Sequence, residues 1–282
     1  MPAVPFPELW EDVMLLLTLN KGGNNMRKFL ILLIAGIVVL SGTIGHAGEK
    51  LKIATEGAYP PFNFVDPNGN LKGFDVDIAN ALCEAMNREC ELMVQDWDGM
   101  IPGLLAKKYD AIVASMSITE KRKKAVNFTE PYYQAPPRFV AKKGSGLEIT
   151  KEGLKGKNIG VQRAATYADY LKDTYGDIIN IKYYDTVENH NLDLVAGRVD
   201  AVLAQSVFMS QWLDKPEGKD FQFYGDPILE KKYIGSGAGI AVRKEDTQLL
   251  GELNAALEQI IENGTHKKLS SKYFDFDIYK YE

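Results

Sequence analysis

The sequence predicts an α/β protein of two similar lobes joined by a hinge of two strands. Three observations predict it. Short apolar strands alternate with amphipathic helices from residue 51 onward, the alternation restarts at residue 158, and two segments rich in proline or glycine cross between the halves. Strands alternating with helices imply a mostly parallel sheet covered by helices.

In the first half, residues 51–55 read as a strand. The consecutive prolines of Tyr59-Pro60-Pro61-Phe62 make a rigid loop, because each ring fixes φ and removes a donor. Asp66-Pro67-Asn68-Gly69 reads as a turn. Residues 74–86 carry apolar side chains at helical spacing, followed by a strand over 91–95, a helix over 100–107 and a strand over 110–115. In the second half, 158–161, 179–184 and 200–204 read as strands, with helices over 166–175 and 187–196. Residues 104–115 echo 194–204: each is a helix end, a basic turn and an apolar strand opened by Asp-Ala. Residues 130–137 read as a crossing strand restrained by proline, and 235–239 as a glycine-rich return. An amphipathic helix over 252–262 ends at Gly264, and 271–276 close the chain. Two crossings bring the C-terminal part back to the first lobe, so 48–134 with 237–282 form lobe 1 and 135–236 form lobe 2. A cleft between lobes is a preferred place for a small molecule. In open α/β sheets, ligands sit beyond the carboxyl ends of strands. Here those ends are Thr55-Glu56, Ser115 to Ser117, and Gln205-Ser206.

Composition narrows the class. With 33 basic and 38 acidic side chains the net charge is −5, which argues against non-specific nucleic-acid binding. A hydrophobic share of 45% with 25% charged residues excludes a disordered chain, a collagen-like fibre and a polytopic membrane protein. Met26-Arg27-Lys28, twelve uncharged apolar residues and then small residues up to Gly45 and Ala47 read as a secretory signal over 26–47. The apolar run is shorter than the roughly 20 residues a membrane span needs. No Cys follows it, which argues against a lipid anchor. Residues 1–25 then read as an extension from a misassigned start, because Lys21-Gly22-Gly23 can be encoded by a purine-rich ribosome-binding sequence before Met26. Removing 1–47 takes away three charges of each sign, so the exported chain, starting near Gly48, keeps a net charge of −5.

The two cysteines, Cys83 and Cys90, read as a disulfide in an oxidising compartment; two free buried thiols are the other reading. A loop this short contributes roughly 2.5 kcal/mol in the chain-entropy model. Metal binding is a poor third, because neither His190 nor His266 lies near in sequence.

Enzymatic signatures are missing. There is no Gly-x-Ser-x-Gly elbow, no phosphate-cradling loop with Lys and no His-Glu-x-x-His, and no spacing singles out an acid/base couple. Binding fits better. A ligand carboxylate needs backbone N–H groups and a forked cation, which Ser117 at a helix start and Arg122 after it supply. Read locally, Lys121 to Lys124 is equally a solvated charge run. Glu56 and Tyr59 follow the first strand, and Trp97 precedes a helix. Two aromatics sandwich a ligand stem or pack in the core. Thr166 opens a helix as a cap or as an anion donor.

Together these residues resemble the polar amino-acid-binding proteins of ABC importers, the extracellular solute-binding family 3. Within it they are most similar to the lysine/arginine/ornithine-, histidine- and opine-binding subgroup. The resemblance rests on 54–62, Gly73-Phe74-Asp75-Val76-Asp77, 110–122 with its Ser-x-Ser-Ile-Thr-x-x-Arg run, 128–132 and 272–277. It implies a periplasmic-binding-protein type II fold without cofactor or metal, with a disulfide equivalent to Cys83–Cys90. It also implies a monomer that closes over an amino acid and hands it to an inner-membrane ABC permease. By the resemblance, Arg122 grips the α-carboxylate with Ser117 and Thr166, and Ser115 meets the α-ammonium. Tyr59 and Trp97 flank the side chain, and Glu56 faces a distal cation. One position departs: the family commonly has an Asp at the end of the lobe-two strand, and here it is Gln205. An amide accepts a hydrogen bond but does not neutralise a buried cation. The resemblance makes a basic amino acid the first expectation, and the departure at Gln205 points to a substituted ligand amine or a compensating acid. The alternatives are an opine-like imino acid and, on the same fold, a periplasmic cyclohexadienyl dehydratase.

Overall fold

The computed structural model describes residues 50–279; the expected leader over 26–47 and the extension over 1–25 lie outside the described residues. In chain order the strands are β1 (Leu51–Thr55), β2 (Ala58–Tyr59), β3 (Asn63–Val65), β4 (Leu71–Lys72), β5 (Cys90–Val94), β6 (Ala111–Ile112), β7 (Val126–Phe128), β8 (Pro137–Lys142), β9 (Asn158–Gln162), β10 (Asn180–Tyr184), β11 (Ala201–Gln205), β12 (Phe221–Tyr224) and β13 (Ala241–Arg243). The longer helices are α1 (Phe74–Ala85), α2 (Thr166–Tyr175), α3 (Val187–Val195), α4 (Ser206–Leu213) and α5 (Thr247–Glu262).

Two five-stranded sheets carry the molecule, in the orders β5-β1-β6-β13-β7 and β10-β9-β11-β8-β12. In the first, β1 is parallel to β5 and β6, while β13 runs antiparallel to β6 and β7. β13, from the far end of the chain, thus lies between β6 and β7 in this sheet. In the second, β9 is parallel to β10 and β11, and β8 is antiparallel to β11 and β12. Helix α1 buries Phe74, Val76, Ile78, Ala79, Leu82 and Cys83, and α5 packs on it through a stripe of Leu253, Ala256, Leu257 and Ile260. Cys83 and Cys90 are bonded, tying the end of α1 to the start of β5.

The echo between 104–115 and 194–204 extends to hydrogen bonds. Lys107 and Gly197 both turn with positive φ, at 59° and 69°. Asp110 Oδ2 accepts from the Lys52 N–H at 3.0 Å, and Asp200 Oδ2 accepts from the Asn158 N–H at 2.8 Å. Each Asp thus pins its strand to the start of the neighbouring one.

Three elements differ from expectation. The strand expected over 110–115 is regular only at β6, because Ser115 adopts φ 55° and swings the chain away from the ladder. The crossing expected over 130–137 is a single bridge: Tyr132 N–H donates to the Ala238 carbonyl, and Ala238 N–H to the Tyr133 carbonyl, each at 2.9 Å. Pro131, Pro136 and Pro137 have no N–H to extend it. Helix α5 starts at Thr247, since the apolar spacing already begins at Leu249 and Leu250.

Candidate functional site

The site is assembled where the strands of both lobes end. After β1, Gly57 turns with φ 74° and its N–H donates to Asn63 Oδ1 at 2.8 Å. Asn63 Nδ2 in turn donates to Asp75 Oδ2 at 2.7 Å, which fixes the loop that carries Glu56 and Tyr59. Asp75 is fully buried on α1 and accepts two more bonds, from Ser115 Oγ at 2.8 Å and from the Tyr132 hydroxyl at 2.7 Å. The Ser115 N–H donates to the Tyr132 oxygen at 2.9 Å. This closed ring of bonds holds Ser115 in its left-handed conformation, a strain that surrounding contacts must over-determine. Burial raises the Asp75 carboxyl to about 6, and its three donors oppose that rise.

Arg122 sits on a one-turn helix, Glu120–Lys123, capped by the Thr119 hydroxyl. The cap is therefore two residues beyond Ser117. The Arg122 guanidinium donates to the Ser117 carbonyl at 3.1 Å and, across the cleft, to the Ala164 carbonyl at 3.2 Å. Its carbon lies 5.2 Å from the Trp97 ring centroid, a cation–π contact. Burial lowers its pKa to about 10, so it remains a cation at neutral pH.

Glu56 is only 5% exposed, and burial raises its carboxyl to about 7, against the bond it accepts from Gln162 Nε2 at 2.6 Å. Gln162 ends β9 in lobe 2 and also donates to the Asp185 carbonyl at 3.1 Å. Glu56–Gln162, Arg122–Ala164 and the Lys121–Asp169 ion pair at 2.7 Å all span the lobes. Tyr59 stacks on Phe208 of α4 with centroids 4.7 Å apart and on Phe62 at 5.6 Å. Thr166 is the first residue of α2, following Ala165, and does not cap it; its buried hydroxyl has no partner. That sets aside the capping reading and leaves the hydroxyl for the crevice.

Seven of the expected residues, Glu56, Tyr59, Trp97, Ser115, Ser117, Arg122 and Thr166, line one crevice of about 20 Å³. That is room for about one water, so an amino acid enters only as the lobes part. Gln205, at the end of β11, lines an adjoining chamber of about 300 Å³. Ser115, Ser117 and Tyr167 line both spaces, so the two lie side by side. Gln205 Nε2 donates to the Tyr133 hydroxyl at 2.9 Å, while its buried Oε1 has no partner.

The structure adds Asp75, Gln162, Tyr133 and Tyr167 to the site. Gln162 ends a strand, so the rule that found Glu56 and Gln205 reaches it too. Asp75 is legible as an acid among Phe74, Ile78 and Leu82 on the apolar face of a helix. Tyr133 and Tyr167 have no such local signal.

Comparison with known proteins agrees with this geometry. Residues 51–276 match the model of the bacterial extracellular solute-binding proteins, family 3. The chain is 44% identical over 256 residues to the L-arginine-binding protein of Pseudomonas aeruginosa, covering 90% of this chain and 99% of that one. It is 38% identical over 261 residues to the lysine/arginine/ornithine-binding periplasmic protein of Escherichia coli K12, with the same coverage of each. Among solved structures, a Salmonella typhimurium periplasmic binding protein described for its high arginine specificity superposes with a TM-score of 0.75 at 35% identity. That match covers 80% of this chain and all of the other.

Proposed function

The chain belongs to the bacterial extracellular solute-binding proteins, family 3, and from that premise we propose that it captures a basic amino acid in the periplasm and delivers it to an ABC permease. The observation that supports this reading is a pair of opposite charges in one crevice. Arg122 offers a forked cation for a carboxylate, and Glu56 offers a buried carboxylate for a distal cation. An amino acid with a cationic side chain has both groups at opposite ends. Ser117 and Thr166 add polar partners at the carboxylate end, and the N-terminus of α2 adds its dipole. Tyr59 and Trp97 flank the stem between the two ends.

Ligand entry replaces the bonds that now span the cleft. Its carboxylate takes over the Arg122 donors that reach the Ala164 carbonyl, and its cation takes over the Glu56 oxygen that Gln162 occupies. Both lobes then contact the ligand, which favours the closed form by differential affinity. The moving bodies are 48–134 with 237–282 and 135–236, with the hinge at the Tyr133–Ala238 bridge. The chain acts as a monomeric carrier, and its work is binding rather than catalysis.

Isothermal titration with arginine, lysine, ornithine, histidine and glutamine tests the reading. A basic amino acid binds with micromolar or tighter affinity, about −8 kcal/mol or better. Arg122→Ala lowers that affinity by about 100-fold or more. Unchanged affinity in that variant contradicts the carboxylate assignment.

A further inference from the structure

We propose that this cleft takes amino acids whose α-nitrogen carries an uncharged acyl group, seated in the chamber beside Gln205. The inference rests on the reading that Arg122 holds a ligand carboxylate in the crevice it shares with Ser115; Ser115 also lines the chamber of Gln205, so a substituent on the α-nitrogen is directed there. What faces the nitrogen from lobe 2 is neutral. Gln205 is 3% exposed, its Nε2 is committed to the Tyr133 hydroxyl, and its buried Oε1 is unpartnered. An ammonium buried there brings a charge that an amide cannot neutralise. Asp75 stands behind Ser115, but its oxygens already accept from Asn63, Ser115 and Tyr132. An acylated nitrogen has one N–H and no charge, and one neutral acceptor satisfies it.

The space is in the right place. The chamber adjoins the crevice through Ser115, Ser117 and Tyr167 and holds about 300 Å³, roughly ten times the volume of a liquid water molecule. Its lining includes the apolar Ala135, Pro136, Leu229 and Ile234, which suits the alkyl part of an acyl group. Among the described residues, no charged side chain lines it. A carboxyalkyl substituent, as on an opine, brings a second acid that finds no cation there. The lining therefore favours the uncharged substituent over the acidic one.

Titration calorimetry with L-arginine and Nα-acetyl-L-arginine, on the wild type and on Ile234→Trp, decides the matter. The expected result is that the acetylated ligand binds the wild type within about tenfold of arginine or tighter, a free-energy difference one neutral hydrogen bond can absorb. Ile234→Trp fills the chamber and weakens the acetylated ligand by about tenfold or more while arginine changes by less than about threefold. Acetylation that weakens wild-type binding by more than about tenfold overturns the inference and leaves the arginine reading standing. Equal effects of the variant on both ligands, or none on either, also overturn it. Binding of neither ligand to the wild type defeats both readings.

Discussion

The two lobes share a strand plan and differ in what stands at the strand ends. The orders β5-β1-β6-β13-β7 and β10-β9-β11-β8-β12 correspond strand for strand, each with one antiparallel strand beside the third. Asp110 and Asp200 make the same pinning bond in each. Yet lobe 1 ends its strands in charge and strain: Glu56, the left-handed Ser115 anchored on Asp75, and Arg122. Lobe 2 ends its strands in the neutral amides Gln162 and Gln205 and begins α2 with Thr166. On the proposed function, a ligand meets its charge partners on one lobe, and neutral donors and acceptors close over it from the other. The scaffold repeats because pinning and packing are generic. The chemistry diverges because one rigid lobe suffices to hold the ionic contacts.

The sharpest way to break this comparison is to remove the buried anchor of lobe 1. Asp75→Ala leaves three donors without their acceptor. It costs about 3 kcal/mol of stability in urea unfolding and abolishes ligand binding. The same change at the pinning Asp200 of lobe 2, partly exposed, costs about 1 kcal/mol. Equal costs contradict the asymmetry.

Glu56→Gln tests the charged end. Because burial raises the Glu56 carboxyl from 4.5 to about 7, the folded state prefers the proton, and its ionisation opposes folding. Stability from this group is present below about pH 4.5 and is lost as pH rises through about 7. Asp75, raised to about 6, acts in the same direction. Wild-type melting temperature therefore falls between pH 5 and 8 more steeply than that of Glu56→Gln. Arginine pairs with the ionised form, so its affinity rises over the same interval, and the variant flattens that rise and weakens arginine by about 30-fold near pH 8. A pH-independent wild type removes Glu56 from the cation site.

Gln205→Asp makes lobe 2 resemble lobe 1. It raises affinity for free α-amino acids by about tenfold, and no gain means that position 205 lies away from the amine. The smallest effect concerns the echoed turns. Lys107 pays for a left-handed conformation that Gly197 adopts freely. Lys107→Gly therefore stabilises by up to about 1 kcal/mol, and Gly197→Lys destabilises by a similar amount.

Most of the architecture is legible in the sequence because it follows from periodicity and punctuation. Alternating strands and helices and the echo opened by Asp-Ala are found in the fold, while the crossing strand expected over 130–137 is reduced to the Tyr133–Ala238 bridge. What is not legible is set by long-range contacts. The strand over 110–115 shortens because Tyr132 and Asp75, distant in sequence, hold Ser115 out of the ladder. Local spacing leaves Arg122 open between a ligand contact and a solvated charge run, and only the family resemblance favours the contact. Gln162 and Tyr167 gain their roles only when the lobes face each other. Gln205 stands out in sequence for what it replaces, and its unpartnered oxygen and the chamber beside it emerge only from packing.

On the proposed function, one cleft holds an amino acid by its carboxylate on Arg122 and by its cation on Glu56. A crystal structure of the protein grown with L-arginine tests it most directly. The ligand carboxylate is expected within about 3 Å of the Arg122 guanidinium and the ligand guanidinium beside Glu56, between Tyr59 and Trp97. Arginine bound in the reverse orientation, or bound with Arg122 still turned to the Ala164 carbonyl and away from the ligand, contradicts it.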